Sequence, residues 1–526
     1  MSSLSRYEEL KALLRGESFC IAENAESLPQ ELPPFDERLV QAIWHEQLVH
    51  ADKLQTVSGK TIRVLDPGQW NGERGPDFKS ADLEIAGQRL RGDIEIHVHA
   101  SDWERHNHQR DFEYNRVILH VVLHCDNGAP TDLLHNAQQV DRLELAPVLN
   151  PDLDTIRRSL AGEDFMFADR SDNAATSCHH SVARVNEELL REFFLEAAHQ
   201  RLESKVARFQ AQRSGESLDQ VLYQAIMTAM GYKGGKTLFF LLAKRTPIEE
   251  LKDYHRDTPL PELPIALEAL LLHVANLAAP SAKTLGAPGD MLEDSCESPL
   301  LDADTLVYVD RLHGYWHLLS GYFQDRIIPP TRRWFGSVRP VNFPTRRIAG
   351  VARLLTNFDF RRGFVASFAR AVRDAAARQP KSSRDFKREI MQLGLLFSAE
   401  GESYWSTHYT LGGRRAKKPM QLIGEERALS VLYNALLPIC ILYAREERDP
   451  ALEKFLWRLH EHFPALPENA ITRFMRHRLF GETGPPAGLN FRFEKHNQAL
   501  FQVFHECCNN AALTCEDCIF ARRAAE

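Results

Sequence analysis

The sequence predicts an α+β chain, with a small mixed sheet near the N-terminus followed by a larger domain built of helices. Three observations predict it. Apolar and ionisable residues alternate with period two between Ala81 and His99. Val117–Leu123 is an almost unbroken apolar run rich in β-branched residues. Beyond Val185 the apolar residues recur at helical spacing instead.

Taken in order, residues 1–36 read as an N-terminal extension, a short amphipathic helix and then the proline-rich connector ESLPQELPPFDE. Residues 37–160 read as the sheet domain. Glu37–His50 is a helix with Leu39, Ile43, Trp44 and Leu48 as its apolar positions. Glu46 on it is a candidate carboxylate for a nearby site. Lys60–Leu65 is strand-like and runs into the turn Asp66-Pro67-Gly68. The glycine-containing loop that follows lacks the lysine of a phosphate loop, so it is not read as a nucleotide cradle. In Ala81–Ala86, Leu83 and Ile85 alternate with Asp82 and Glu84. In Arg89–His99, Ile94, Ile96 and Val98 alternate with Asp93, Glu95, His97 and His99. Successive strand residues face opposite ways, so those four ionisable side chains share one face. Ala86-Gly87-Gln88 is the turn between the strands. Ser101 with Glu104 predicts a capping box opening a short helix. Val117–Leu123 is a strand buried on both faces, and Leu143–Leu149 is the last strand.

Residues 161–184 are polar and turn-rich and read as a linker. Its Cys178-His179-His180 triplet is an accident of that linker, since adjacent residues rarely converge on one ion. Residues 185–526 form the helical domain. Asn186–Arg213 carries Leu190, Phe194, Ala197, Leu202, Val206 and Phe209 on one face. Ser217 caps Leu218–Met230. Further helices are expected at Lys236–Lys244, Glu262–Leu277, Ala303–Phe323, Thr345–Arg378, Ser383–Ser398, Gly424–Arg445, Ala451–His462, Glu468–Leu479 and Asn497–Cys508.

Composition narrows the class. Over 526 residues, 44% are hydrophobic and 26% charged, as in ordinary globular proteins. A net charge of −8 gives no global footprint of nucleic-acid binding. Nine scattered cysteines, an odd number, suit a reducing compartment better than a disulfide framework. The N-terminus has no apolar signal core. The most apolar stretch, Ile265–Ala279, is too short to cross a bilayer. A cytoplasmic protein with no membrane partner is expected.

Three groups of residues carry candidate chemistry. Asp77 stands just before the first hairpin strand and Glu95 midway along the second. Two carboxylates at adjacent strands suit a hard divalent ion, Mg²⁺ or Mn²⁺, whose bound water attacks a phosphodiester. Pro76-Asp77 and Glu95-Ile96-His97 resemble the motifs of the PD-(D/E)xK nuclease superfamily. That resemblance implies a metal-dependent phosphodiesterase or nuclease on DNA or RNA, with Asp77 and Glu95 on the ion and His97 orienting water. The superfamily's lysine is a histidine here, and Lys79 is the nearest alternative. The departure keeps open a non-catalytic nucleic-acid- or protein-binding module with a degenerate nuclease core. A third reading is a transition-metal site among His97, His99, His106, His108, His120 and His124.

The second group is basic. Thr331–Arg388 holds fifteen Lys or Arg against three Asp, interleaved with Trp334, Phe335, Phe343, Phe358 and Phe360. Arginine with aromatics suits phosphate pairing and base stacking. Arg339, Arg346, Arg347 and Arg353 are the candidate nucleic-acid contacts. A smaller knot runs from Arg414 to Lys418. The third group is the tail, Cys508-x6-Cys515-x2-Cys518 beside Cys507, whose spacing suits zinc or an iron–sulfur cluster. Cys508, Cys515 and Cys518 are the candidate ligands, with Cys507, His505 or Cys440 as the fourth.

Several blocks resemble an uncharacterised bacterial family, domain of unknown function 2851. They are DPGQWNGERGPDF at Asp66–Phe78, GDIEIHVHASDWERHNHQRDFEYNRVILHVV at Gly92–Val122, RPVNFPTRRIA at Arg339–Ala349, SYWSTHY at Ser403–Tyr409 and CCNNAALTCEDC at Cys507–Cys518. The likeness spans roughly residues 37–520 and implies a bacterial protein, with no activity attached.

Overall fold

The computed structural model describes residues 3–15, 37–71, 75–150, 156, 178–213, 215–231, 235–278, 302–329, 332–335, 339–397, 404–413, 415–481, 484–486, 488–489, 491–508 and 518–520. The chain divides into two compact units. One comprises residues 20–176, the other residues 1–19 with 177–526.

The first unit is built on a mixed sheet of seven strands: β1 (Ile62–Asp66), β2 (Gln69–Trp70), β3 (Phe78–Ile85), β4 (Gln88–His99), β5 (Val117–His124), β6 (Thr131–Leu133) and β7 (Gln139–Glu144). The order is β1-β3-β4-β5-β7-β6, with β2 beside β3. β3 and β4 form the expected antiparallel hairpin. Its turn places Ala86 and Gly87 at φ of 49° and 80°, the two positive dihedrals that match a two-residue turn to strand twist. β4, β5 and β7 are parallel. The expected last strand at Leu143–Leu149 lies earlier, at β7, and Ala146–Val148 is a 3-10 turn opened at Pro147.

Both faces of this sheet are covered. On one, Val40, Ile43 and Trp44 of the helix Glu37–Glu46 join Phe78, Leu83, Ile94, Ile96, Leu119 and Val121 in a continuous core. On the other lies the crossover between β4 and β5, whose Trp103 and Tyr114 pack with Val117, Leu134 and Val140. The alternation in β4 was correctly legible, yet its polar face is a second interior and not a solvated surface. Ser101 does not cap the short helix Asp102–Arg105. Its backbone is already helical, and its hydroxyl donates to Asp126 at 2.6 Å.

The second unit is largely helical. Asn186 caps Glu187–Gln212 by accepting from the amides of Glu188 and Leu189, and Ser217 caps Leu218–Met230. Leu263–Val274 is apolar on nearly every side and lies in the core, as an all-round hydrophobic helix must. The single helix expected over Thr345–Arg378 is two, Pro344–Asn357 and Phe364–Ala377. Asp359 and Gly363, at φ of 39° and 101°, break it between them, in a region that favours Gly and tolerates Asp. Glu425–Glu446 is long and apolar enough to cross a membrane, but 72% of its apolar window is buried in the protein. Its middle turn, Leu432–Leu436, is a π-helix. Pro438 follows and cannot donate to the carbonyl of residue 434, and widening the turn absorbs that defect.

The extension expected at residues 1–36 is not peripheral in its first part. Ser3–Arg15 is a helix whose Tyr7, Leu10 and Leu14 are buried. Arg6 pairs with Glu192 at 2.6 Å and Tyr7 donates to Glu506 at 2.9 Å. Most of the linker lies outside the described residues; its end, His179–Val182, is a short helix.

Candidate metal centre

The register of the parallel strands sets up the site. Glu95 on β4 pairs with His120 on β5, and His120 pairs with Arg142 on β7. The three stand in one row across the sheet. His97, two residues after Glu95, points to the same face. The crossover drapes over this row and brings His106 and His108 to it. Between those two, Asn107 adopts the left-handed conformation, φ 62° and ψ 30°, which asparagine tolerates. That reversal lets both flanking rings reach β4.

Three ring nitrogens converge, with a carboxylate oxygen beside two of them. His97 Nε2 lies 3.1 Å from His106 Nδ1 and 3.2 Å from His108 Nε2. Glu95 Oε1 lies 3.2 Å from His108 Nε2 and 3.6 Å from His97 Nε2. The three ring nitrogens all fall within 4.8 Å of one another. A tetrahedral zinc ion with bonds of about 2.0–2.1 Å spaces its ligands about 3.3 Å apart. The donors therefore already stand at coordination distance. Hydrogen bonding does not account for the spacing, because His97 Nε2 has a single in-plane lone pair or proton and two nitrogens crowd it. His97 is wholly buried, while His106 lies at the exposed rim.

Electrostatics favour neutral rings beside charge-starved carboxylates. Burial, reinforced by His120, His108 and His106, pushes the His97 imidazole far below its usual value. Burial holds His108 down to about 4. The Glu95 carboxyl is pushed well above the usual range by burial, against a hydrogen bond from the Asp77 amide. Asp77 is pushed up by burial and then by Glu95 and Glu37. Among the described residues neither carboxylate has a Lys or Arg ion pair. A bound cation would supply the missing charge.

Asp77 and Glu95 do come together. The Asp77 amide donates to Glu95 Oε2 at 3.1 Å, and the Ile96 amide donates to Asp77 Oδ2 at 2.9 Å. Gln41 Nε2 donates to Asp77 Oδ1 at 2.7 Å and reaches Glu37 Oε1 at 3.4 Å. The helix Glu37–Glu46 thus brings Glu37 to Asp77's partner Gln41. Lys79 is exposed on β3. His99 and His124 stack on each other at 6.1 Å and are not among the converging donors. Asp132 and Arg142, which lie behind His120, carry no motif and were not legible as site residues.

The other two groups fare differently. Arg346 is wholly buried. Its guanidinium donates to the carbonyls of Val341 at 3.2 Å, His408 at 3.2 Å, Gln421 at 3.0 Å and also Trp405. Arg347 is buried and donates to Asn342. Neither can meet a phosphate, which corrects the expected arginine face. Arg353 is half-buried and Arg339 exposed. Arg361 and Arg362 pair with Asp359, Arg373 with Asp449, Arg378 with Glu389, and Arg388 with Asp385 and Glu389. Trp334, Phe343, Phe358 and Phe360 are core residues, so they offer no stacking platform. In the smaller knot, Arg415 pairs with Asp304 at 3.0 Å.

In the tail, Cys507 and Cys508 lie in the π-helical turn Phe504–Cys508. A hydrogen bond from Cys507 pulls the Cys518 thiol down. Cys515 lies outside the described residues. Among the described residues, the one convergent donor group of three or more is His97, His106 and His108; the cysteines do not form one.

No curated protein and no solved structure matches the chain. A model of a family of unknown function, DUF2851, matches residues 37–468, which takes in the whole metal centre and stops short of the tail cysteines. The chain belongs to the DUF2851 family.

Proposed function

We propose that the sheet unit is a metal-dependent phosphodiesterase or nuclease whose ion is a transition metal, Zn²⁺ or Mn²⁺, held by His97, His106, His108 and Glu95. The observation that carries the metal is the convergence of the three ring nitrogens within 4.8 Å of one another, with Glu95 Oε1 3.2 Å from His108 Nε2 and 3.6 Å from His97 Nε2. Three imidazoles select a transition metal over Mg²⁺, so the ligand set shifts from the paired carboxylates toward the histidines. A divalent ion there would polarise a phosphoryl oxygen and make its water nucleophilic near neutral pH.

The chain's own residues divide the remaining work. Glu95 is shared, with Oε1 toward the histidines and Oε2 on the Asp77 amide. His97 turns its Nε2 to the other rings, so it is a ligand and not the water-orienting group. Asp77, whose amide is bonded to Glu95 Oε2, is the carboxyl placed beside the ligand set to take the water's proton. The exposed rim at His106 is the side from which a substrate backbone would arrive. The resemblance of Pro76-Asp77 and Glu95-Ile96-His97 to PD-(D/E)xK nuclease motifs supports DNA or RNA as that substrate.

The rival reading is a non-catalytic binding module. It is favoured by one observation: both Asp77 oxygens already accept from Gln41 and Ile96. One experiment separates the two. Purified protein is analysed for metal and assayed for fragment release from labelled single- and double-stranded DNA and RNA, beside Glu95→Gln and Asp77→Asn. Cleavage lost in both variants, with metal lost only in Glu95→Gln, supports the enzyme. Equal activity in all three proteins would sink it, and nucleic-acid binding without cleavage by any protein selects the module. A second ion in that sample, lost on replacing Cys508 and Cys518, would support zinc or an iron–sulfur cluster on the tail.

A further inference from the structure

Behind the converging donors runs a line of side chains that ends on His97. Arg142 grips Asp132 with two nitrogens, Nε to Oδ2 at 3.0 Å and Nη2 to Oδ1 at 2.5 Å. Its Nη1 donates to Asn127 Oδ1 at 2.6 Å and to the Ala129 carbonyl at 2.5 Å. Asp132 Oδ2 lies 2.6 Å from His120 Nδ1. His120 Nε2 lies 2.9 Å from His97 Nδ1. Arg142, Asp132, His120 and His97 are all buried, with both rings at zero exposure.

The protons along this line can be counted. Arginine does not give up its proton in proteins and only donates. A carboxylate gripped on both oxygens by arginine is ionised and only accepts. His120 Nδ1 therefore carries a proton and donates to Asp132. One proton then lies between His120 Nε2 and His97 Nδ1. If it sat on His120, that ring would be a buried cation. The carboxylate it contacts, Asp132, is already neutralised by Arg142, and an unmatched buried charge is costly. The proton therefore sits on His97 Nδ1. His97 is left with a bare lone pair on Nε2, aimed at His106, His108 and Glu95.

We propose that Arg142, Asp132 and His120 form a fixed proton ladder that locks His97 in its Nδ1–H tautomer, so that Nε2 is a ready ligand before any metal arrives. Asp132 and His120 are positioning residues and touch no reacting atom. The ladder extends the common arrangement in which a ligating histidine donates its other N–H to a carboxylate, with a second imidazole interposed. It also sharpens the choice of ion, because a neutral imidazole lone pair suits zinc and manganese and leaves Mg²⁺ poorly served. The inference rests on the metal-centre reading above but not on catalysis.

The test reads the tautomer directly. Long-range ¹H–¹⁵N spectra of ring-labelled, metal-free full-length protein at neutral pH should show His97 and His120 both neutral and both protonated on Nδ1. His97 protonated on Nε2, or His120 as a cation, would overturn the ladder. The companion variant is His120→Leu, which leaves the Arg142–Asp132 pair intact. Its zinc affinity, measured by chelator competition, should fall by about 10–100-fold, with His97 becoming a mixture of tautomers. Affinity within twofold of wild type, with His97 still locked, would also overturn it. If His120→Leu fails to fold, the wild-type spectrum alone decides. Locked tautomers and tight zinc in a protein that cleaves no phosphodiester would leave the ladder standing and remove the catalytic reading.

Discussion

Each unit buries a polar cluster, and the two clusters keep different accounts. In the helical unit, Arg346 meets four carbonyls. Lys205 donates to Asn434 at 2.7 Å and Gln498 at 2.8 Å, and Gln498 passes the contact to Glu494 at 2.7 Å. Donors face acceptors throughout. In the sheet unit, three ring nitrogens crowd one point beside a carboxylate oxygen, and His97 Nε2, with one lone pair or proton, meets two of its neighbours at 3.1 and 3.2 Å. Burial and polarity are common to both. What distinguishes a binding site from a structural lock is whether the donor and acceptor count closes without a guest.

The contrast predicts opposite responses to apolar replacement. Arg346→Met should destabilise the helical unit by about 4 kcal/mol, since each carbonyl left dry costs roughly 1–3 kcal/mol and some regain water. Hydrogen exchange at the amides of Leu263–Val274 would report the loss. Zinc affinity should stay within twofold of wild type, because the metal centre belongs to the other unit. A variant as stable as wild type would show that the arginine is replaceable packing, and the comparison would lose its structural half.

This lock was hidden in the sequence for a physical reason. An arginine-rich stretch reads the same whether its guanidiniums face phosphates or helix-end carbonyls, and only the approach of residues 405–421 to Arg346 decides. By contrast, β3, β4 and β5 were legible within a few residues, because period two is a local property of the chain. So was the meeting of Asp77 with Glu95, which follows from hairpin register. The role of His97 was only half legible. Alternation put it beside Glu95, but that the crossover would fold His106 and His108 onto it depends on one left-handed residue, Asn107. Asp132 and Arg142 lie on strands whose sequence carries no motif, and they join the site through the parallel register of β5 and β7.

The converse replacement sharpens the comparison from the other side. His108→Leu removes a converging donor and leaves a shape that the apolar face of Trp103 and the Tyr114 ring can line; His108 lies 5.3 and 3.9 Å from those rings. Metal-free stability should change by less than about 1 kcal/mol, as when a poorly paired buried polar group becomes apolar. Zinc affinity should fall at least 100-fold, equivalent to about 2.7 kcal/mol. Calorimetric unfolding of metal-free protein and chelator competition measure the two. Strong destabilisation with zinc affinity retained would make His108 part of a structural lock like Arg346.

Within the helical unit Glu268 departs from the closed account of Arg346 and Lys205, and it gives the smallest and most selective effect. Glu268 is buried in Leu263–Val274 and accepts from the Tyr308 hydroxyl at 2.5 Å. Burial pushes its carboxyl up to about 7, against that hydrogen bond and the more distant Arg353 and Arg311. An unfolded glutamate titrates near 4.3. Below that value both states hold the proton and the group is neutral to stability. Between it and about 7 the folded state alone keeps the proton, so rising pH progressively removes stability across that window. Above it the folded protein carries a buried, poorly matched anion. Glu268→Gln keeps an oxygen for Tyr308 and cannot ionise. It should therefore match wild type near the bottom of the window and exceed it by about 2 kcal/mol at the top, because a shift of one unit is worth about 1.4 kcal/mol and solvent relaxation recovers part of it. Denaturant unfolding at both ends of the window measures the difference. A difference that is the same at every pH would mean that Glu268 is held charged by Arg353 or Arg311, and its account would then close as those of Arg346 and Lys205 do.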